Sequence, residues 1–264
     1  MNTVCQDTVI VKKRNLKNNY FSFTLNQFKK AKSCKPGQFV HIKIPDSNIF
    51  LRRAFSIASV DKKKNELEII FKVVGRGTKL MGELNKGDIL STLGPLGNPF
   101  KFPKKNEKVI MVAGGVGFPP LMYLAIEMIE KGHNPKNIIY FYGGRSKKDI
   151  LERARLKKIG INLIQVTEDG SVGSKGLVTE VLKNYLNKLE NLKNLRLYSC
   201  GPEGMLKAVD GIGLEYNIPG QISLEAPMPC GIGICLGCVV PLKKGGHARV
   251  CCDGPVFNIG EVSL

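Results

Sequence analysis

Val109-Ile110-Met111-Val112-Ala113-Gly114-Gly115-Val116-Gly117-Phe118-Pro119-Pro120 runs from an apolar segment through a glycine turn into a helical pattern that continues to Lys131. A short apolar run closed by glycines reads as a strand buried on both faces, the kind found in parallel sheets covered by helices. The glycines let the backbone turn tightly and approach a diphosphate, whose charge meets free N–H groups at the helix start. Proline in the first helical turn gives up an N–H that has no partner there. The spacing is G-x-G-x-x-P, not G-x-G-x-x-G, so the glycines by themselves fit a plain strand-to-helix turn as well. A second signal is Cys200-Gly201-Pro202 at the carboxyl end of a later strand, where open α/β sheets bind ligands. Together they make Gly114, Gly115, Gly117, Cys200, Gly201 and Pro202 the candidate contacts of a nicotinamide dinucleotide.

Working outward, residues 101–225 alternate strands with helices: strands Lys108 to Ala113, Asn137 to Tyr142, Asn162 to Thr167, Leu195 to Cys200 and Gln221 to Glu225, and helices Pro119 to Lys131, Lys148 to Lys158, Val178 to Leu189 and Gly204 to Tyr216. That alternation is the sequence form of a parallel α/β domain. Residues 1–100 hold short strands instead, at Thr8 to Val11, Tyr20 to Leu25, Gln38 to Ile44, Ala54 to Ser59, Glu66 to Val74 and Asp88 to Leu93. Turn signals at Pro36-Gly37, Pro45-Asp46 and Lys86-Gly87-Asp88 separate them, which predicts a small antiparallel β-barrel. Residues 226–264 form a cysteine-rich tail, too short for a core of its own and expected to depend on metal for its fold.

The chain has 264 residues and a formal charge of +18, which raises the question of nucleic acid as a partner. Its basic residues are scattered through loops and Trp is absent, so no stacking platform accompanies the charge and no nucleic-acid partner is expected. Val109 to Ile129 is apolar but carries Gly114, Gly115, Gly117, Pro119, Pro120 and Glu127, so no membrane span is expected. The first residues, Met1 to Asp7, lack the basic and apolar regions of a secretory signal, and the expected compartment is the cytoplasm. There thiols stay reduced, so the 8 cysteines do not read as disulfides. His41, His133 and His247 form no ligand pair or catalytic triad, and read as surface or core residues.

In the barrel half, Arg53-Ala54-Phe55-Ser56 offers an arginine fork for a pyrophosphate, a hydroxyl for a flavin edge and a ring to lie against it. Gly75-Arg76-Gly77-Thr78 opens a short helical stretch that presents N–H groups and a hydroxyl to the same phosphate. In the tail, Cys230-x4-Cys235-x2-Cys238 with a later cysteine has the spacing of plant-type [2Fe–2S] loops. A structural zinc site is the competing reading, but the x4 arm matches paired CxxC knuckles poorly.

The glycine turn Gly114 to Leu121, the cysteine loop Cys230 to Cys238 and Val250-Cys251-Cys252-Asp253-Gly254-Pro255-Val256-Phe257 carry a resemblance: the chain resembles, end to end, the electron-transfer subunits of class B dihydroorotate dehydrogenases, in the ferredoxin reductase superfamily. The resemblance implies a flavin-binding barrel, an NAD-binding α/β domain and a [2Fe–2S] segment, with FAD, NAD and the cluster as cofactors. It implies electron flow from the FMN of a catalytic subunit through the cluster and FAD to NAD+ in pyrimidine (UMP) synthesis, in a heterotetramer of two subunits of each kind. FAD contacts carried over are Arg53, Ala54, Phe55, Ser56, Ile70, Phe71, Lys72, Gly77 and Thr78; the family's Arg-Pro-x-Ser has lost its proline here. The family pattern Val-Cys-x-Asp-Gly-Pro makes Cys251 the fourth cluster ligand and Cys252 a spare thiol. No acid–base residue is expected, since the carbon chemistry belongs to the partner. The competing function is an electron-entry subunit for another oxidoreductase, such as ferredoxin:NADP oxidoreductase, a glutamate-synthase-like protein, a sulfide dehydrogenase or a hydrogenase. NAD against NADP stays open: Arg145-Ser146 either favours a 2′-phosphate or caps a helix.

Overall fold

In the computed structural model, which describes residues 3–45 and 48–264, six antiparallel strands close a barrel in the order β1-β2-β5-β4-β3-β6. They are β1 (Val4–Asn15), β2 (Tyr20–Asn26), β3 (Phe39–Ile42), β4 (Arg53–Asp61), β5 (Glu66–Lys72) and β6 (Ile89–Leu96), with helix α1 (Arg76–Glu83) between β5 and β6. Asp46 of the expected Pro45-Asp46 turn, and Met1 and Asn2 of the Met1 to Asp7 stretch, lie outside the described residues. Strand alternation turns Phe23 and Leu25 of β2 and Leu67, Ile69 and Phe71 of β5 inward onto Ile10, Val40, Ile42, Phe55 and Ile57. Closure leaves no sheet edge, so short strands suffice.

After the barrel come β7 (Lys108–Gly114), α2 (Phe118–Glu130), β8 (Ile138–Gly144), α3 (Arg153–Lys158), β9 (Asn162–Thr167), β10 (Ser174–Lys175), α4 (Val178–Leu186), β11 (Leu195–Cys200), α5 (Glu203–Glu215) and β12 (Gly220–Ser223). The strands form a sheet in the order β10-β9-β8-β7-β11-β12-β15, parallel except for β15 (Val256–Asn258) at one edge. β7 is buried from Val109 to Gly114, as its apolar run requires of a central strand. Two β8 tyrosines pin the glycine turn: the Tyr140 hydroxyl donates to the Phe118 carbonyl at 3.0 Å and that of Tyr142 to the Gly115 carbonyl at 3.3 Å.

The expected helix Lys148 to Lys158 is only its last part. Lys147–Asp149 is a 3-10 turn capped by Ser146, Glu152 takes φ +50°, and α3 begins at Arg153. The departure places Glu152 and Arg155 against the barrel, where Arg14 bonds Glu68 at 2.7 Å and Glu152 at 3.0 Å while Arg155 bonds Glu68 at 2.6 Å.

The tail has a core after all, though a shared one. Beyond the two-stranded β13 (Val239–Pro241) and β14 (His247–Arg249), Val250, Phe257 and Val262 pack with Phe39 and Leu96 of the barrel and Leu206, Ile222 and Leu224 of the α/β half. β15 pairs with β12, Asn98 donates to the carbonyls of Cys252 and Asp253, and Lys243 reaches Asp210 on α5 at 2.6 Å. A segment too short to bury its own apolar residues buries them against its neighbours.

Candidate functional site: two cavities and a cysteine loop

The first cavity, of about 320 Å³, opens where the barrel meets the α/β half. Arg53, Ala54, Phe55 and Ser56 of β4 and Ile70, Phe71 and Lys72 of β5 line it, with Thr78 of α1. Phe55 is 8% exposed and packs in the barrel core, its ring centroid 5.5 Å from that of Phe71, so its ring supports the cavity wall instead of lying free beside a ligand. The Arg53 Nη1 atom donates to the carbonyls of Leu51 and Arg52, which sets the guanidinium at the start of β4 beside α1. Gly77 makes that approach possible: a Cβ there would lie 3.2 Å from Arg53 Nε and 2.8 Å from Ile44 Cδ1. Thr78 Oγ1 accepts from the backbone N–H groups of Val74 and Gly75 and so closes the N-terminal turn of α1. An arginine fork beside a helix start, with the Ser56 hydroxyl further along the same strand, suits a pyrophosphate joined to a flavin.

The second cavity, of about 690 Å³, lies at the carboxyl ends of the parallel strands. Gly114, Gly115, Gly201 and Pro202 line it, with Gly143, Arg145 and Glu168 further out. Gly115 has φ +50°, a conformation that favours glycine. Two expected contacts sit elsewhere. Gly117 packs underneath, where a Cβ would overlap the Cys200 carbonyl, and Cys200 itself lines the first cavity. Ser146 Oγ accepts from the Lys148 N–H at 3.2 Å, so this hydroxyl is engaged as a cap, while Arg145 is exposed at the cavity wall.

Lys72, Val116 and Glu225 line both cavities, so the two are continuous. Glu225 was not among the residues expected from the sequence; its signal was its place just past the carboxyl end of β12, where ligands of such sheets bind. Glu225 is an exposed residue that lines both cavities, and desolvation by the protein around it raises its carboxyl pKa. Ser223 and Met228 also line the first cavity without an advance signal.

Met228 leads to the cysteine loop. The Cys238 thiol donates to Cys251 Sγ at 3.3 Å, and Cys230 and Cys235 form a second thiol contact. The four thiols stand as two pairs, Cys230 with Cys235 and Cys238 with Cys251, and four cysteine donors suit a [2Fe–2S] cluster. Burial works against the Cys230 thiolate, but N–H groups of Cys235 and Ile232 outweigh it and lower its pKa to about 6. Cys252 Sγ lies 3.6 Å from that of Cys251 and faces Gly233, where a Cβ would be 2.8 Å away. His41 is buried against Gly231, and burial followed by the charge of Arg52 lowers its pKa to about 4, so it stays neutral as a core residue. His247 is exposed. No helix among the described residues is long and apolar enough to cross a membrane.

Comparison with known proteins agrees with these three parts. Residues 7–101 match the oxidoreductase FAD-binding domain, residues 111–211 the oxidoreductase NAD-binding domain, and residues 225–263 the iron–sulfur cluster binding domain of dihydroorotate dehydrogenase B. Among solved structures, the NADH-dependent reduced ferredoxin-NADP oxidoreductase of flavin-based electron bifurcation is similar with a TM-score of 0.85 and 29% identity, over 97% of this chain and 89% of that one. A ferredoxin NADP+ reductase from Neisseria gonorrhoeae shares the fold, with a TM-score of 0.68 at 18% identity over 80% of this chain and 91% of that one. The electron transfer subunits of dihydroorotate dehydrogenase B (NAD+) from Bacillus cereus and Bacillus anthracis are each 36% identical over 98% of this chain and 98% of their own length. With barrel, nucleotide sheet and paired thiols in the same order along the chain, this protein belongs to the dihydroorotate dehydrogenase B (NAD+) electron transfer subunits.

Proposed function

We propose that this chain carries electrons from the FMN of a dihydroorotate dehydrogenase catalytic subunit to NAD+ in pyrimidine (UMP) synthesis, as one half of a heterotetramer with two subunits of each kind in the cytoplasm. The observation that carries the reading is the order of the sites. The nucleotide cavity shares Lys72, Val116 and Glu225 with the flavin cavity, and the flavin cavity is lined by Met228, two residues before Cys230.

Cys230, Cys235, Cys238 and Cys251 hold the [2Fe–2S] cluster in this reading. Arg53 to Ser56, Ile70 to Lys72, Gly77 and Thr78 hold FAD, with Cys200 on the flavin side. Gly114, Gly115, Gly201 and Pro202 receive NAD, and Gly117 keeps their two loops in contact. Bound FAD exchanges the hydride of NAD(H) for the single electrons of a cluster. The chain's own residues bind, orient and screen: Arg53 and the start of α1 neutralise phosphate charge, and N–H groups of the cysteine loop point at sulfur and tune the cluster. Ile232, Ile234 and Leu236 are exposed beside the cysteines and form the apolar rim against which the catalytic subunit would seat. The division into residues 1–100, 101–225 and 226–264 follows these roles, with β15 lent by the tail to the sheet.

The test has two stages. Anaerobic NADH should bleach the flavin absorbance of the purified chain, and co-expression with the FMN subunit should give NAD+ reduction that depends on dihydroorotate. A flavin that NADH does not bleach removes the cofactor reading. Co-purification of a glutamate-synthase or hydrogenase subunit instead keeps the cofactors and moves the pathway.

A further inference from the structure

We infer that His41 is the positioning residue of the first cluster ligand: from its buried place on β3, its imidazole N–H fixes the Met228–Cys230 backbone and thereby sets the reduction potential of the cluster. The inference rests on the function proposed above, in which Cys230 binds iron.

His41 is fully buried, yet among the described residues neither of its ring nitrogens has a hydrogen-bond partner. Buried polar groups are nearly always paired, because an unpaired one keeps the whole cost of leaving water. The group the ring faces is the cysteine loop. A Cβ on Gly231 would lie 2.6 Å from His41 Nδ1 and 2.9 Å from Cε1, and Gly231 has φ +72°, so ring and backbone meet at a position suited to glycine alone. Backbone carbonyls of Met228 and Cys230 also face the ring, without reaching hydrogen-bond geometry. Complete burial, with Arg52 and Arg53 nearby, keeps the imidazole neutral, so it carries one N–H and one bare nitrogen. Both acceptors lie within the same three residues, and a bond to either fixes the same short segment.

The other side of the ring belongs to the flavin wall. In the β3–β4 register His41 stands opposite Ala54, and the Phe39 ring lies edge-on to the imidazole at 6.1 Å. Phe39, Ala54 and Met228 line the flavin cavity, whereas His41 lines neither cavity. Arg52 anchors the strand, its Nη1 donating to the Ser91 carbonyl at 2.7 Å and to that of His41 at 3.4 Å. The imidazole is thus a fixed spacer between the flavin wall and Cys230.

That place bears on the cluster through one N–H group. The Ile232 N–H points at Cys230 Sγ at 3.5 Å, the kind of contact that stabilises the added negative charge of a reduced cluster. Only Gly231 separates the two residues, so a ring that holds the backbone at Cys230 and Gly231 also aims this N–H.

The experiment uses the full chain with FAD and cluster, purified anaerobically, and follows a redox titration by electron paramagnetic resonance. His41→Leu fills the space without an N–H, and His41→Asn restores a donor near the Nδ1 position. In His41→Leu, iron and FAD should be retained, the cluster potential should fall by about 60 mV, equal to tenfold in a one-electron equilibrium, and the g values of the reduced cluster should shift. His41→Asn should recover most of both changes. Equal shifts in the two variants, or no shift in either, overturn the inference. A measurement on the unsubstituted chain stands if the variants do not fold: with 15N-labelled histidine, pulsed resonance of the reduced cluster should show coupling to a histidine nitrogen, and His247→Gln should leave it in place. Absence of that coupling overturns the inference alone. A chain that binds no iron overturns the function proposed above and this inference with it.

Discussion

A Cβ on Gly117 would overlap the carbonyl oxygen of Cys200, so the loop after β7 and the loop after β11 meet backbone to backbone beneath the nucleotide cavity. The contact joins residues remote in sequence whose strands are neighbours in the sheet. It makes the cavity floor depend on a position that no ligand touches.

Gly117→Ala should force these loops apart. We expect a loss of about 1–3 kcal/mol in stability, as for an overpacked core, together with a raised KM for NADH and an unchanged FAD content. Thermal melting, steady-state kinetics and flavin absorbance read the three effects separately.

Arg53 tests the flavin cavity. Its Nη1 bonds are to neighbouring backbone carbonyls, so Arg53→Ala should fold. Losing one charge-assisted pair, worth about 1.5–3 kcal/mol, should weaken FAD binding by roughly one to two orders of magnitude. FAD retained after gel filtration measures it, and full retention would remove Arg53 from the site.

The two adjacent cysteines give opposite expectations. Cys251 pairs with Cys238 at 3.3 Å and is 1% exposed, whereas Cys252 faces Gly233. Cys251→Ser should lose iron and acid-labile sulfide; Cys252→Ser should keep both. Iron analysis and the visible absorbance of anaerobic protein decide between them, and the reverse outcome makes Cys252 the ligand.

Glu68 sets a pH dependence. Burial opposes its ionisation, but Arg155, Ser22 and Ser59 outweigh burial and bring its pKa from 4.5 to about 2. A depressed carboxyl pKa stabilises the fold above the unfolded value, by about 3 kcal/mol here, and that contribution fades as pH falls from 4.5 toward 2. Urea unfolding followed by circular dichroism should show Glu68→Gln less stable at pH 7, with the gap to the unsubstituted chain closing in acid. A gap that stays constant with pH would refute the assignment.

The layers, and the candidate ligands proposed for them, are legible in local sequence patterns. Alternation at Phe23-Thr24-Leu25 and Leu67-Glu68-Ile69, and the unbroken apolar run of Val109 to Ala113, are local patterns that specify a half-buried and a fully buried strand wherever they occur. The cysteine spacing is likewise local, because a loop that wraps a cluster sets the intervals between its thiols. Tertiary structure alone decided what depends on residues distant in the chain. The helix expected from Lys148 starts at Arg153 because Glu152 and Arg155 meet Arg14 and Glu68, a contact that helical periodicity cannot foresee. Phe55 faces the barrel core because Phe71 of the paired strand β5 packs beside it, and Cys200 reaches the flavin cavity because β11 ends between the two sites. The tail's strand β15 reads as a loop until β12 is beside it. Glu225 has an ordinary sequence context; its place between two cavities arises only when β12 of the sheet closes against the open end of the barrel.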